Sequence, residues 1–222
     1  MNANGNKKLI PLSEQIRAAH LDVWDAMQAH RFVTEIEADT LSDAAFKAYL
    51  VYECDFVETA MLIFGHMLVK APGLAERRWL AGVLQALATD QIGYFEKTFE
   101  ALGVTAEDRA KPLPASVFAF RDGMLAIARD GSYLDGVAIM LAAEWMYATW
   151  CSRAAGRTIS NPILKRWVDL HAEPEFLAQA DWLRRQIDAA DPADRDRLGA
   201  RFREALELEI AFHSAPFERS EA

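Results

Sequence analysis

The sequence predicts an all-α protein of seven or more helices, and three observations support this class. Apolar residues recur every three to four positions over long stretches, which is the periodicity of a helix face. Good capping residues, glycines and prolines stand at the ends of these stretches. Clean alternation of apolar and polar residues is nearly absent, as are hairpin turns between β-branched runs. The predicted helices differ too much in length for a simple four-helix bundle.

The chain has 222 residues, of which 52% are hydrophobic. A chain of this length and composition buries a substantial core, so we predict one domain over residues 1–222. Residues 1 to about 10, MNANGNKKLI, are expected to form a flexible N-terminal segment.

The first two helices are predicted from their capping residues. Ser13 is expected to cap a helix from Glu14 to about Ala29. Ser42 is expected to start a long second helix that stops near Ala71. Because its apolar residues spread around more than one face, this second helix should lie centrally, with neighbours on several sides.

The remaining helices follow in order along the chain. Gly73 and Gly103 bound a third helical segment, and the loop KPLPASV follows it. Asn161 is expected to cap a helix that has Pro162 at its first position. The other predicted helices cover about 115–129, 133–155, 174–189 and 192–213.

The charge excludes several classes of partner. A net charge of −9 argues against nucleic acid, which requires clustered Lys and Arg, and against anionic lipid. No apolar run approaches the ~18 residues of a membrane span, and the N-terminus lacks the apolar stretch of a secretory signal. Cys54 and Cys151 are too few for a disulfide framework. We therefore expect a soluble protein of the reducing cytoplasm, with no membrane association.

Candidate site residues come from acids placed three positions before an aromatic residue, on one helix face. Glu144, inside the apolar stretch MLAAEWMYATW, either faces water or lines an internal pocket. The spacing alone is weak evidence, but three of the pairs lie among few nearby charges. Those three are Glu53 with Phe56, Glu144 with Tyr147, and Glu209 with Phe212; the same spacing also occurs at Glu76 with Trp79 and Glu96 with Phe99.

The order and spacing of several segments resemble the TenA family, in the all-α fold shared with heme oxygenases. The matching segments are FKAYLVYECDFV, DGVAIMLAAEWMYATW, NPILKRWVDLH, EPEFLAQADWLRRQID and ELEIAFHSAPF. The resemblance extends over nearly the whole chain. It implies a pocket between helices for an aminopyrimidine, such as the pyrimidine half of thiamin or its degradation products. It also implies a homo-oligomer, a tetramer or a dimer.

The resemblance assigns roles by position, with some departures from the family pattern. Glu53 stands where the family usually has Asp, and Phe56 stands where a Tyr is common. Ala143 stands at the nucleophilic Cys of the thiaminase branch, four residues before Tyr147, which matches the family Tyr. This combination resembles the Cys-less branch, in which thiamin itself is often not the substrate.

The C-terminal part of the resemblance supplies the remaining site residues. His171 stands at a pocket Tyr of the family, and Glu209 matches its catalytic Glu, with Phe212 beyond it. We therefore expect a hydrolase that acts on an aminopyrimidine in thiamin salvage or degradation, in which carboxylates rather than a Cys activate water. The expected catalytic residues are Glu209, Glu53 and Glu144, and the expected substrate-binding residues are Phe56, Tyr147, His171 and Phe212.

Two other functions stay open, and so do the roles of two histidines. A metal-dependent oxidase could use Glu53, Glu144, His171 and Glu209, although such sites want paired histidines at helical spacing, so we expect no metal and no cofactor. A non-catalytic pyrimidine-binding or regulatory protein is the second alternative. His171 either lines the pocket or caps the end of its helix. His213 either orients Glu209 or lies at the surface.

Overall fold

The computed structural model describes residues 10–218 of the chain, so the predicted flexible N-terminal segment lies almost wholly outside the described residues. Within this range the chain is helical, with no β-strand, and the all-α prediction is confirmed. The twelve α-helices are α1 (Leu12–Ala19), α2 (Leu21–Gln28), α3 (Arg31–Glu37), α4 (Asp43–Lys70), α5 (Leu74–Ala86), α6 (Ile92–Leu102), α7 (Ala106–Arg109), α8 (Ala115–Asp130), α9 (Tyr133–Ala155), α10 (Pro162–Leu170), α11 (Pro174–Asp188) and α12 (Arg195–Ser214).

The predicted first helix, 14–29, is wrong in two respects. The helix begins at Leu12 after Pro11, so Ser13 lies in its first turn and its backbone N–H donates to Oδ1 of Asp188 at 2.8 Å. The chain then turns at His20, which separates α1 from α2. This turn lets α1 pack against α11 and α12 while α2 packs against α9 and α12.

The long helix α4 has the predicted bounds. The Ser42 hydroxyl accepts a hydrogen bond from the backbone N–H of Ala45 at its start, which satisfies one of the free donors of the first turn. At its end the Lys70 ammonium donates to three carbonyl oxygens at the end of α8, those of Ala128, Arg129 and Gly131. These contacts fix the end of α4 against α8.

The third predicted segment, between Gly73 and Gly103, contains two α-helices and is not one continuous α-helix. Between α5 and α6 a π-helical turn, Leu87–Gln91, replaces the α-helical turn. Such turns are rare and occur frequently at functional sites. Gly103 ends α6 with a φ of 66°, the left-handed conformation that glycine adopts without steric cost.

Helix α9 lies at the centre of the fold. A reciprocal pair of hydrogen bonds between Ser132 and Asp135 caps its start, and Arg197 of α12 forms an ion pair with Asp135. α9 packs against α4, α8, α10, α11 and α12, and its residues are buried on nearly every side. Glu144 lies on this central helix, and its side chain therefore points into the interior of the bundle.

The last helices follow the predicted capping. The Asn161 side chain accepts from the backbone N–H groups of Ile163 and Leu164 at the start of α10, with Pro162 in the first turn. α11 begins at Pro174 as expected. A short 3₁₀ turn, Pro192–Asp194, precedes α12 and replaces the start predicted at 192.

Candidate active site

A cavity of about 80 Å³, here called the inner cavity, lies between α4, the π-helical turn, α8, α9, α11 and α12. All seven side chains that the sequence predicts for the site line it. They are Glu53, Phe56, Glu144, Tyr147, His171, Glu209 and Phe212. The roles assigned to them stay predictions, whereas their common location is a feature of the fold.

Three helices deliver the three carboxylates to the inner cavity. Glu53 comes from α4, Glu144 from α9 and Glu209 from α12. Glu209 is 1% exposed and Glu144 is 9% exposed, so neither faces bulk water. Of the two positions that the sequence left open for Glu144, the structure shows the internal one.

Glu53 is held by the helix that follows α9. The indole Nε1 of Trp167 donates to its Oε2 at 2.8 Å, and Nε2 of His171 lies 3.8 Å from its Oε1. Burial raises the pKa of Glu53 to about 8, although the donation from Trp167 opposes that rise. At neutral pH Glu53 is therefore largely protonated.

Glu144 is held by α11. The amide Nε2 of Gln179 donates to its Oε1 at 2.7 Å, and within residues 10–218 its Oε2 has no hydrogen-bond partner. Burial raises the pKa of Glu144 to about 7, and the hydrogen bond from Gln179 acts against the increase. Near neutral pH this carboxyl is divided between its acid and its base form.

Glu209 has the most secluded carboxyl of the three. Burial raises its pKa well above the ordinary value, and the neighbouring carboxyls of Glu53 and Glu144 add to the rise. His213 lies four residues later, with its Nδ1 3.4 Å from Oε2 of Glu209. That nitrogen donates to the backbone oxygen of Glu209 at 2.8 Å, and burial lowers the pKa of His213 to about 3. His213 is thus a neutral, fully buried neighbour of Glu209 rather than a surface residue.

His171 satisfies both interpretations that the sequence left open. It is the C-terminal cap residue of α10, where its Nδ1 donates to the Trp167 carbonyl oxygen at 2.8 Å. Its ring also lines the inner cavity. Burial lowers its pKa to about 4, so the ring is neutral and its Nε2 is an acceptor turned toward Glu53. A charged cap is therefore not its role at neutral pH.

Aromatic rings form the walls between the carboxyls. Phe120 lies between Phe56 and Phe212, with ring centroids 4.4 Å and 4.6 Å away. On the other side, the ring of Tyr147 lies 5.2 Å from that of His171, and its hydroxyl is 2.6 Å from the hydroxyl of Tyr49. These ring faces could stack on a flat aromatic ligand bound in the cavity.

The inner cavity adjoins a second, more open pocket of about 380 Å³. The two share the side chains of Glu53, Gln91, His171, Phe176 and Gln179. Gln91 ends the π-helical turn, so this turn lies where the two pockets meet. The outer pocket therefore borders the inner cavity along these shared side chains.

A comparison with known families identifies the chain. The model of the TENA/THI-4/PQQC family matches residues 17–218. The chain belongs to this family.

Curated TenA-family relatives match over most of the chain. An aminopyrimidine aminohydrolase of Halalkalibacterium halodurans is 25% identical over 193 residues, which are 86% of this chain and 84% of the relative. A protein of Bacillus subtilis with the same name is 21% identical over 178 residues, 79% of this chain and 72% of the relative.

Solved TenA structures show the same fold. A TenA homologue from P. horikoshii superposes with a TM-score of 0.87 at 23% sequence identity, over 94% of this chain and 99% of that chain. The chain therefore has the heme oxygenase-like all-α fold of the TenA proteins, as the resemblance implied.

The inner cavity of this TenA-family chain has no cysteine among the residues that line it. Ala143 lines it at the position predicted for the nucleophilic Cys. Cys54 is half-buried outside the cavity, and burial raises the pKa of its thiol to about 11. Cys151 is fully buried in the core. Neither is placed or ionised to attack a ligand in the cavity.

The sequence analysis did not select several of the cavity residues, among them Phe120, Phe176, Gln91 and Gln179. No pattern separates Phe120 from an ordinary core Phe, because its spacing on α8 is that of any apolar face. Phe176 and Gln179 lie in a segment that resembles TenA, EPEFLAQADWLRRQID, so that segment was the available signal. Gln91 depends on the π-helical turn, which the sequence did not indicate.

Among residues 10–218, no group of three His, Cys, Asp or Glu side chains is arranged to hold a metal ion. In the same range no helix has the length and apolarity that crossing a membrane requires.

Proposed function

We propose that this TenA-family protein hydrolyses an aminopyrimidine and replaces the amino group of a ring substituent with the hydroxyl group of water. Its curated relatives from H. halodurans and B. subtilis are named aminopyrimidine aminohydrolases, and they match over most of the chain. These names support the substrate class. The geometry of the inner cavity supports the chemistry.

One observation carries the proposal: two buried carboxyls and one half-buried carboxyl share one small cavity whose walls are aromatic. Hydrolysis requires a group that takes a proton from water and a group that gives a proton to the departing amine. Carboxyls whose pKa values are raised toward neutrality by burial are suited to both tasks. The pKa of Glu144 is about 7, so part of this carboxyl is ionised at neutral pH and can act as the base. The pKa of Glu209 is raised well above its ordinary value, which favours the protonated form that an acid requires.

In this mechanism Glu209 is the acid and Glu144 is the base. Glu144, partly ionised at neutral pH, takes a proton from water as the water oxygen bonds to the substrate carbon. The carbon–nitrogen bond breaks, and Glu209 donates its proton to the leaving nitrogen. The products are the hydroxyl-bearing pyrimidine and the free amine, and the proton taken by Glu144 returns to Glu209 through solvent.

The remaining cavity residues would bind the ring. Trp167 occupies Oε2 of Glu53, which leaves Oε1 to accept a hydrogen bond from the substrate's exocyclic amino group. Phe56, Phe212 and Tyr147 supply faces and edges for the pyrimidine ring. A ring of this kind matches the small size of the inner cavity, and a substituent would extend toward the outer pocket.

The residues that line the cavity support direct attack by water. A covalent route needs a soft nucleophile next to the substrate carbon, and Ala143 offers none. Thiamin, whose thiazolium is expelled by such a nucleophile in the thiaminase branch of the family, is therefore a poor substrate in this proposal.

The test is hydrolysis of 4-amino-5-aminomethyl-2-methylpyrimidine by the full chain in water enriched in ¹⁸O. We expect the hydroxymethyl product to carry one ¹⁸O atom and ammonia to form in equal amount, both measured by mass spectrometry and an ammonia assay. Thiamin, supplied separately, should release little thiazole alcohol.

Three other outcomes would contradict the proposal. Saturable binding of the pyrimidine without turnover would favour a binding or regulatory protein. Turnover abolished by a chelator and restored by iron would favour a metal-dependent oxidase. Rapid thiamin cleavage by a variant that lacks both cysteines would show that another group is the nucleophile.

A further inference from the structure

Gln179 is one of the polar residues that line both the inner cavity and the outer pocket. It lies on α11. Its amide Nε2 donates to Oε1 of Glu144 at 2.7 Å, across the contact between α11 and α9. This hydrogen bond joins the helix that borders the outer pocket to a carboxyl inside the inner one.

The hydrogen bond leaves the carboxyl of Glu144 asymmetric. Oε1 is taken by Gln179, whereas Oε2 is buried without a hydrogen-bond partner in the described part of the chain. A buried oxygen without a partner is costly, and it is most readily explained when a ligand or water provides the missing contact. Gln179 therefore determines which oxygen of Glu144 remains for chemistry.

The amide group suits a carboxyl that changes its protonation state. An ionised carboxylate only accepts hydrogen bonds, whereas a protonated carboxyl also donates one. The Gln179 amide offers an NH₂ donor, and after rotation of its terminal group it offers a carbonyl acceptor. An Arg or Lys at this position could only donate, and it would hold the carboxyl ionised.

We propose that Gln179 is a positioning residue for Glu144, which fixes the orientation of the carboxyl and remains its hydrogen-bond partner in both protonation states. This inference rests on the proposed function to the extent that Glu144 cycles between base and acid during turnover. The hydrogen bond and the orientation themselves depend only on the fold.

The other titratable groups that line the inner cavity come from α4, α9, α12 and the end of α10, whereas the π-helical turn, α8 and α11 contribute none. They are Glu53 from α4, Tyr147 from α9 itself, His171 at the end of α10 and Glu209 from α12. A change at Gln179 leaves all four of these side chains in place. A change confined to Gln179 therefore isolates its contribution.

The primary test uses Gln179→Met, which keeps the length of the side chain and removes its polarity. The carboxyl band of Glu144 is followed by infrared titration of glutamate-labelled protein and is assigned by its loss in Glu144→Gln. Because the hydrogen bond to Gln179 stabilises the ionised form, its removal should raise the pKa of Glu144 by about one unit. The acidic limb of the kcat profile should move upward equally, with kcat at pH 7 falling about 5-fold and KM changing less.

A second variant and a matched control complete the design. Gln179→Asn retains the amide but shortens its reach by about 1.5 Å, which breaks the hydrogen bond to Glu144. This variant should therefore give the same upward shift in the pKa of Glu144. Gln186→Met is the control, because Gln186 lies two turns later on α11 and accepts a hydrogen bond from Tyr133 away from both pockets. It should leave the Glu144 titration unchanged.

The outcomes separate this inference from the proposed function. An unshifted Glu144 titration in Gln179→Met and Gln179→Asn overturns the positioning role, whatever the activity. A shifted titration in a protein that hydrolyses no pyrimidine supports the positioning role and overturns the proposed function. A shifted titration with an unshifted kcat profile overturns the link between Gln179 and turnover.

Discussion

The indole nitrogen of Trp167 donates to Oε2 of Glu53 at 2.8 Å and joins α10 to the middle of α4. The two residues are 114 positions apart; Trp167 is buried and Glu53 is half-buried. Through this bond the position of α10 controls which oxygen of Glu53 faces the inner cavity.

Trp167→Phe should therefore destabilise the protein and do so more at high pH. Loss of a donor to a buried acceptor costs about 1–3 kcal/mol, and the cost is larger when the acceptor is ionised. Since the pKa of Glu53 is about 8, the loss in the free energy of unfolding should be greater at pH 9 than at pH 6. Urea unfolding at both values measures this difference. Trp79→Phe is the control, because Trp79 stacks on Trp182 outside the inner cavity. An equal loss of stability at both pH values for Trp167→Phe would contradict the interpretation.

Glu209→Gln should retain the fold and lower kcat by about 10²- to 10⁴-fold, the usual contribution of a positioned proton-transfer group. Glu207→Gln is the matched control, because Glu207 is exposed and pairs with Arg203 on the surface of the same helix. Steady-state kinetics on the aminomethylpyrimidine compares the two variants, and circular dichroism checks their folding. Loss of activity in the Glu207 variant alone would show that the roles on α12 are assigned to the wrong face.

Stability should fall as pH rises above 7. The pKa values of Glu53 and Glu144 are raised to about 8 and about 7, so between the ordinary value and these values the folded protein binds more protons than the unfolded chain. The free energy of unfolding then decreases with pH across that interval. Buried His171 and His213 have lowered pKa values and oppose the trend, but only below the ordinary histidine value.

The measurement is urea unfolding between pH 7 and 8.5, where the raised pKa values of Glu53, Glu144 and Glu209 all make stability depend on pH. The double variant Glu53→Gln/Glu144→Gln should have a smaller slope than the wild type, and the part that remains belongs to Glu209. Glu58→Gln, an exposed change on α4, should keep the wild-type slope. A wild-type protein whose stability increases over this interval would contradict the buried, protonated state of these groups.

Neither cysteine should contribute to hydrolysis. Cys54→Ser and Cys151→Ala together should leave kcat for the aminomethylpyrimidine within about 3-fold of the wild-type value, since neither thiol lines the cavity. Ala143→Cys should instead place a thiol in the cavity, detected as a new site of modification by a small alkylating agent that a bound pyrimidine protects. Loss of activity in the cysteine-free protein would contradict the direct attack of water.

The helices and their ends were accessible from the sequence because they depend on residues within about one turn. Ser42, Asn161 and Gly103 mark boundaries through bonds or backbone angles that each residue makes locally. The prediction failed at Ser13, because the helix start there is set by Pro11 and by a contact with Asp188, 175 positions away. It failed again at the π-helical turn, which lies where two pockets meet.

The candidate site, like the helices, was predicted from the sequence only in part. The spacing of an acid three residues before an aromatic, together with the family resemblance, selected the seven side chains that line the cavity. Spacing alone did not separate Glu53 from Glu96, which is exposed on α6. Burial separates them, and burial depends on which helices pack against each face, a relation that no local pattern contains.

The sequence by itself determined the all-α class, most helix boundaries and the identity of the acids, because these follow from local periodicity and residue type. Only the tertiary structure decided that Glu144 points inward, that Trp167 and Gln179 each occupy one carboxyl oxygen, and that Ala143 rather than a thiol lines the cavity. The reason is physical. A carboxyl acquires a raised pKa and a defined orientation from groups that reach it across the bundle, and those groups lie 35 or more positions away in the chain.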